Sequence, residues 1–468
     1  MKLRSNDWSK PTAVLLVCCF AAAACSDDGA DSNDLDPVAD TNKEDDVIVW
    51  ADVAKDSWSP IIDTKAPPKD VGQEIEEADE ASPVDVAQLP KPATVPSNLP
   101  PGVVGIPAAS LELEEDGKTK TYDVNLPSGT VSFLAVVLGK HPGHFTIATA
   151  VHSISGLLGK GQCQPLCLSC KNRLAGTAAS GAALFPSSSG VKVVGGPWTL
   201  SSCGFQWKQE GGSYSVQPVK DQSVDTWVFA RVSKDGKVPA AATLKVRVWA
   251  AGSISAAASH DHPVTSVMLA EAATILQSAA IDLQILDRIN APKGFGTLNL
   301  PDGLTTDHSS NADQLFAAAA KVGGAAVVDI FLVDNIVGAK ESGADVLGWT
   351  GGIPAAAFFP GRPRGGIAIA AKAFKDGKVA GRQLAHEIGH YLGLWNTTNA
   401  DGNGSDPIKD TPVCPKTADK DNNGMLSAKE CEGYDGGNAM FWQPAAGKAM
   451  FTAGQATILR GNPVLFAK

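Results

Sequence analysis

At 468 residues the chain is long enough for two or three domains of roughly 150 residues each, and an apolar content of 44% against 19% charged residues excludes a wholly disordered chain. No internal apolar run approaches the roughly 18 residues of a spanning helix, which argues against a polytopic helical membrane protein. The formal net charge of −11 is unevenly spread, with +2 over residues 1–24, −14 over 26–100 (19 acidic and 5 basic side chains) and +1 over 101–468; so neutral a folded part, without a basic stripe, argues against nucleic acid as the partner.

Residues 1–24 have the form of an export signal. Lys2, Arg4 and Lys10 make a positive start, an apolar run follows from Ala13 to Phe20, and Ala22, Ala23 and Ala24 supply the small residues of a cleavage site. Cleavage after Ala24 leaves Cys25 at the new terminus, an arrangement that resembles the lipobox of bacterial lipoproteins, with Ala22 where leucine is usual. Of the 9 cysteines, Cys18 and Cys19 leave with the signal. Lipidation of Cys25 removes the odd one and leaves Cys163, Cys167, Cys170, Cys203, Cys414 and Cys431 for three disulfides in an oxidising compartment. The first four also have near-zinc spacing, so a four-thiolate site is the alternative there. The expected location is the bacterial cell envelope, lipid-anchored at the outer membrane, surface or periplasm.

Residues 25–100, the lipidated start and its acidic continuation, lack the apolar content to offset the entropy of ordering and read as a disordered spacer. Over 101–240, short alternating runs separated by Gly, Pro and Ser predict strands: Val131–Val137, Phe145–Val151, Val191–Val194, Tyr214–Val219 and Thr226–Val232. Together they suggest a β-sandwich-like accessory domain. His141, His144 and His152 lie here, and histidines in such a module are more often solvated or hydrogen-bonded than ligating.

From residue 241 the pattern changes to alternating strands and helices. Thr243–Trp249 reads as a strand, Val264–Ala280 as a helix, Ile281–Ile285 as a strand, Asp313–Val322 as a helix and Val327–Val333 as a buried strand. The fold class expected is therefore α+β multidomain, the sandwich preceding an α/β domain over 241–468.

The segment His386 to Asn396 carries the chemistry. On a helix, His386 and His390 stand one turn apart on the same face, so two imidazoles can converge on one ion at roughly 2.0–2.1 Å. Glu387, beside the first histidine, is angled to hold a water and take its proton. Leu384, Ile388 and Tyr391 form an apolar face for the core. Gly393 can end the helix with positive φ and turn the chain back toward the ion.

This extended signature resembles the metzincin zinc proteases and, more narrowly, the pappalysin and cytophagalysin family. Asp406, Pro407, Ile408, Asp410, Thr411 and Pro412 are similar to that family's segment after the helix, residues 437–442 to its methionine turn with Met440 beneath the metal, and residues 451–463 to its terminal helix. The resemblance covers about residues 243 to 468. It implies a mixed twisted sheet with an active-site helix, Zn2+ as cofactor, Glu387 as general base, and an extended polypeptide substrate paired with an edge strand near Gly348–Ala370. Asn396 stands where the family has a third histidine. Three assignments follow: Asn396 ligates weakly through its amide oxygen; Asp401, Asp406 or His308 replaces it; or the site is empty and the domain is a catalytically impaired, calcium-stabilised binding or adhesion module.

A second ion site is written into Asp419, Asp421, Asn423, Gly424, Met425 and Glu430. Their spacing fits a twelve-position calcium loop, with oxygen ligands at positions 1, 3 and 5, the Met425 carbonyl at 7 and a carboxylate at 12. Ca2+ there would brace the insertion before Met440, closed by Cys414 and Cys431. His260-Asp261-His262 reads as a solvated turn.

Overall fold

The computed structural model describes residues 94–468 except 142, 160–162, 164–165, 168–169, 211–212, 301–309, 338–344, 363, 404–405 and 445–447. The leader, Cys25, the acidic spacer and His308 lie outside the described residues.

The N-terminal half is antiparallel. Strands β1 (Val103–Glu112), β2 (Tyr122–Leu126), β3 (Thr130–Gly139), β4 (His144–His152), β5 (Ser180–Phe185), β6 (Gly196–Glu210), β7 (Ser213–Pro218) and β8 (Ser223–Val232) form two facing sheets. One has the order β1-β8-β3-β5; the other runs β7-β6-β4 with β2 also on β6. Residues 191–194, expected as a strand, form none. Gly190 (φ +85°) and Gly196 (φ +115°) bracket them, and the Trp198 indole donates to the Val194 carbonyl at 3.0 Å, holding a loop instead.

The first sheet is buried on both faces, which explains why β3 reads as an unbroken apolar run. Phe133, Ala135 and Val137 point into the sandwich with Phe145, Ile147, Trp198 and Leu200. Their neighbours Leu134, Val136 and Leu138 join a second core with Leu244, Val246, Leu384, Ile388, Leu392 and Leu459. Trp227 and Phe229 of β8 face the same way, with ring centroids 4.8 Å from Phe359 and 4.2 Å from Phe358. Arg231, fully buried, donates to the carbonyls of Asn462 and Leu465.

The C-terminal half is built on a mixed sheet of β9 (Ala242–Ala250), β10 (Ile281–Asn290), β11 (Val328–Val333), β12 (Gly348–Thr350) and β13 (Ile367–Ala370), in the order β10-β9-β11-β13-β12. The first four are parallel and β12 is an antiparallel edge. Inside it, Arg247 and Asp329 form a two-bond ion pair at 2.8 and 2.9 Å, with the Trp249 indole on the same carboxylate. Helices α1 (Pro263–Gln277), α2 (Asn311–Ala317), α3 (Gly377–Leu392) and α4 (Ala453–Gly461) complete the half. The close approach of α1 and α3 requires glycine: a Cβ on Gly377 or Gly381 would fall 2.6 Å from Val267 or 2.5 Å from Glu271. The chain is thus of mixed α+β class, and none of its described helices is long and apolar enough to cross a membrane.

Candidate metal centre and its surroundings

Helix α3 starts on Asp376, whose carboxylate accepts from the Lys378 amide, and ends at Gly393 in the left-handed region with φ +112°. The Gly393 amide reaches the His390 carbonyl and the Leu394 amide the Gly389 carbonyl, both at 2.9 Å, the paired bonds of a Schellman stop. This reversal places the Leu394 carbonyl 2.7 Å from Nδ1 of His390, one turn back on the helix.

The turn that carries Met440 does the equivalent for the other histidine. The Ala439 carbonyl lies 3.0 Å from Nδ1 of His386. Met440 is fully buried, and a Cβ on Gly389 would fall 2.3 Å from its Sδ, so the helix is small where the methionine pushes in. The Met440 carbonyl accepts from the Thr397 amide at 2.9 Å, tying the turn to the residue after Asn396, itself buried.

A carbonyl oxygen only accepts, so the contacts at Nδ1 place a proton on that nitrogen in both rings and leave each Nε2 with a lone pair. The two Nε2 atoms face each other at 2.8 Å, with the rings near perpendicular at 85°. Two facing lone pairs repel unless a cation, or a proton taken up by one ring, lies between them. The donor set and its backbone support therefore fit a divalent metal such as zinc.

Glu387 is fully buried with donors on both oxygens: Gln383 Nε2 at 2.8 Å from Oε1, and the Thr350 hydroxyl of β12 at 2.5 Å from Oε2. Gly348 must be small here, because a Cβ would come within 2.8 Å of Glu387 Oε1 and Gln383 Nε2. The sequence reading missed Gln383, Thr350 and Gly348. Gln383 stands four residues before Glu387, a spacing that places the two on one helix face.

Among the described residues no third imidazole, thiolate or carboxylate forms a mutual cluster with the two histidines within 4.8 Å. Asp401 and Asp406, expected as possible substitutes for the third histidine, are committed elsewhere. Asp401 accepts from the Asn403 amide and side chain. Asp406 accepts from the Ile408 amide and the Thr411 hydroxyl, and Gln455 of α4 approaches it at 3.4 Å. Burial pushes the Asp406 carboxyl up to about 6, against these bonds and the Arg173 charge, which lower it. Asp410 holds the start of α4 through Thr452 and the Gly454 amide, at 2.9 and 2.8 Å. Gln455 also donates to Asn438, whose Oδ1 accepts from the Met440 amide. The segment 406–411 is thus a brace between the terminal helix and the methionine turn.

Asp419, Asp421 and Glu430 bring carboxylate oxygens within 4.8 Å of one another. In the loop, Gly424 takes φ +82° and its amide donates to Asp419 at 2.9 Å. Asp421 accepts from Asn423, and Glu430 from the Ser427 and Lys420 amides. Asp419 Oδ1 is buried and accepts no hydrogen bond. Three of the expected oxygen donors, from Asp419, Asp421 and Glu430, thus converge. The loop joins the site region through Leu426, whose amide donates to the Ala400 carbonyl at 2.7 Å and whose carbonyl accepts from the Trp442 indole at 2.6 Å.

The cysteines pair as Cys163–Cys203, Cys167–Cys170 and Cys414–Cys431. The four-thiolate alternative is thereby excluded, and the sulfurs beside the buried Asp435 belong to a disulfide rather than to thiolate ligands. His144 and His152 are buried and stacked on Phe205 and Trp198 at 5.3 and 5.0 Å, as sandwich core. The side chain of His260 is exposed, while His262 caps α1.

No family model matches the chain, and no curated protein matches it. Among solved structures it is similar to metalloproteinase-II from Bacteroides fragilis, at 14% identity and a TM-score of 0.29 over 48% of this chain and 55% of that one. It is also similar to family two carbohydrate esterases from Cellvibrio japonicus (7% identity, TM-score 0.12, 50% of this chain and 64% of that one) and Clostridium thermocellum (10%, 0.13, 50% and 66%). The chain spans less than two thirds of each of these structures, and likenesses of this size decide neither activity nor substrate.

Proposed function

We propose that the chain is a metal-dependent endopeptidase of metzincin type, with zinc held by His386 and His390. The observation that carries this reading is the pair of Nε2 atoms facing each other at 2.8 Å, each ring fixed through Nδ1 by a backbone carbonyl. Asn396, six residues after His390 and next to Thr397, whose amide donates to the Met440 carbonyl, would supply the third protein donor through its amide oxygen. Bound there, zinc supplies Lewis acidity that polarises a peptide carbonyl and acidifies water. Glu387 is the proton carrier: it accepts the proton of the attacking water and returns it to the leaving amine. Gln383 and Thr350 orient its carboxylate and leave further lone pairs for that water. As the antiparallel last strand of the sheet order, β12 is the strand with which an extended peptide would pair, main chain to main chain.

Ca2+ in the 419–430 loop, as a brace rather than a participant, completes the proposal. The three disulfides consume six of the seven cysteines after residue 24, leaving Cys25 for a lipid anchor on an exported chain. The second reading, a binding module without hydrolysis, is favoured by Asn396 in the third position. Zinc content and cleavage of a peptide mixture with and without chelator separate the two. Stoichiometric zinc with chelator-sensitive cleavage supports the peptidase; zinc without cleavage supports the binding module. A large gain of activity in Asn396→His marks the natural site as impaired, and loss of zinc in His308→Ala identifies the missing ligand.

A further inference from the structure

Among the described residues, the N-terminal sandwich reaches the segment that carries Asn396. We infer that Arg173 is a positioning residue that clamps the loop carrying Asn396, which makes the sandwich a working part of the centre rather than a detachable pro-segment. The inference rests on the reading of His386 and His390 as metal ligands.

Four observations converge on residues 393–409. The Arg173 guanidinium lies over the Trp395 ring, 5.6 Å from its centroid, one residue before Asn396. Its charge also acts on the buried Asp406 carboxylate. One residue of the segment after β5 completes the seam: the Ser189 amide donates to the Pro407 carbonyl and its hydroxyl accepts from the Lys409 amide, both at 3.1 Å. At the helix stop, Leu184 of β5 packs so closely that a Cβ on Gly393 would lie 3.0 Å from it.

Arg173 is itself held in advance. The neighbouring Asn172 is fully buried, donates to the Leu184 carbonyl at 2.9 Å and accepts from the Ser187 amide at 2.7 Å. The other side of the loop is fixed by the Thr397–Met440 bond and by the Asp406 brace. A loop pinned from both sides presents Asn396 at little entropic cost, and that matters more for a weak amide donor than for imidazole. Once the two halves share a core through Trp227 and Phe229, removing the sandwich would expose that face and release the loop together.

The test uses the full chain carrying Arg173→Ala or Arg173→Lys, with exposed Lys171→Ala as control. Amide hydrogen exchange over residues 394–411, zinc affinity by chelator competition and the visible spectrum of the Co2+-loaded protein are read together. Arg173→Ala should raise exchange in 394–411 about tenfold while leaving β3 and β8 protected, weaken zinc by about 10-fold or more and change the Co2+ spectrum. Arg173→Lys should recover part of each effect, keeping the charge but not the planar stack. Wild-type exchange and zinc affinity in Arg173→Ala would overturn the proposal, as would exchange raised throughout the sandwich, which marks a merely structural role. If the wild-type chain takes up no zinc, the metal reading fails separately. The clamp is then decided by exchange alone, confined loosening of 394–411 supporting it and unchanged protection ending it.

Discussion

At the imidazole pair both donor atoms are buried, and each ring is fixed by a carbonyl that the chain's own turns deliver. In the 419–430 loop the donors are carboxylates nearer the solvent, held in place by amides of the same short loop. The first arrangement is prepared by distant elements: the helix stop at Gly393, the methionine turn, and the brace from Asp406 through Gln455 to Asn438. The second is local and closed by Cys414–Cys431. A site prepared by many elements should lose function when any of them shifts, whereas a self-contained loop should change stability and little else.

The largest effect is expected at the base. Glu387→Gln should lower peptide cleavage by about 10²–10⁴-fold with zinc retained, whereas His386→Ala should lose the metal itself; steady-state kinetics beside metal analysis distinguish them, and full activity in the glutamine variant would remove Glu387 from the mechanism. In the loop, Ca2+ at a hundredfold excess over its Kd should stabilise the folded chain by about 2.7 kcal/mol. Thermal unfolding with and without Ca2+ should show this gain in wild type and lose it in Asp419→Asn, with zinc content unchanged in both. A fall in zinc would mean the two sites are not independent.

Gly389→Ala drives a methyl to within 2.3 Å of Met440 Sδ and should cost about 1–3 kcal/mol, measured by denaturant unfolding, with zinc affinity falling alongside. Stability lost without any loss of zinc would show the methionine turn to be plain core. A further effect concerns pH. Burial holds Asp406 at about 6 in the folded chain against its ordinary 3.8, so the folded state binds this proton more tightly than the unfolded one. Its stabilising contribution is therefore complete below pH 3.8 and lost as pH rises through about 6. Stability curves for wild type and Asp406→Asn should diverge across that window and run parallel outside it.

Much of the centre was legible because its parts are contiguous strings. A helix with histidines one turn apart, a glycine stop and a methionine turn each occupy a few successive residues, and local geometry follows from such spacing. The convergence of Asp419, Asp421 and Glu430 was legible for the same reason. Thr350 and Gly348 were not, because their relation to Glu387 exists only once β12 lies against α3. Arg173 carries no local signal, being one cation in a strand-rich region far from Trp395 in sequence. The double burial of β3 is written in Phe133–Leu138, apolar at both odd and even positions, a pattern that strict alternation does not describe. Asp406 illustrates the converse, an acidic residue in the right segment that serves as a brace.

X-ray absorption at the zinc edge of the metal-loaded protein decides whether the two imidazoles hold a metal. One zinc per chain is expected, with two imidazole nitrogens at about 2.0–2.1 Å and oxygen in the remaining positions, the imidazole signal disappearing in His386→Ala. Zinc found only among oxygen ligands, or a chain that stays zinc-free at saturating metal, would mean that a shared proton joins the two rings, and the hydrolytic reading would be contradicted.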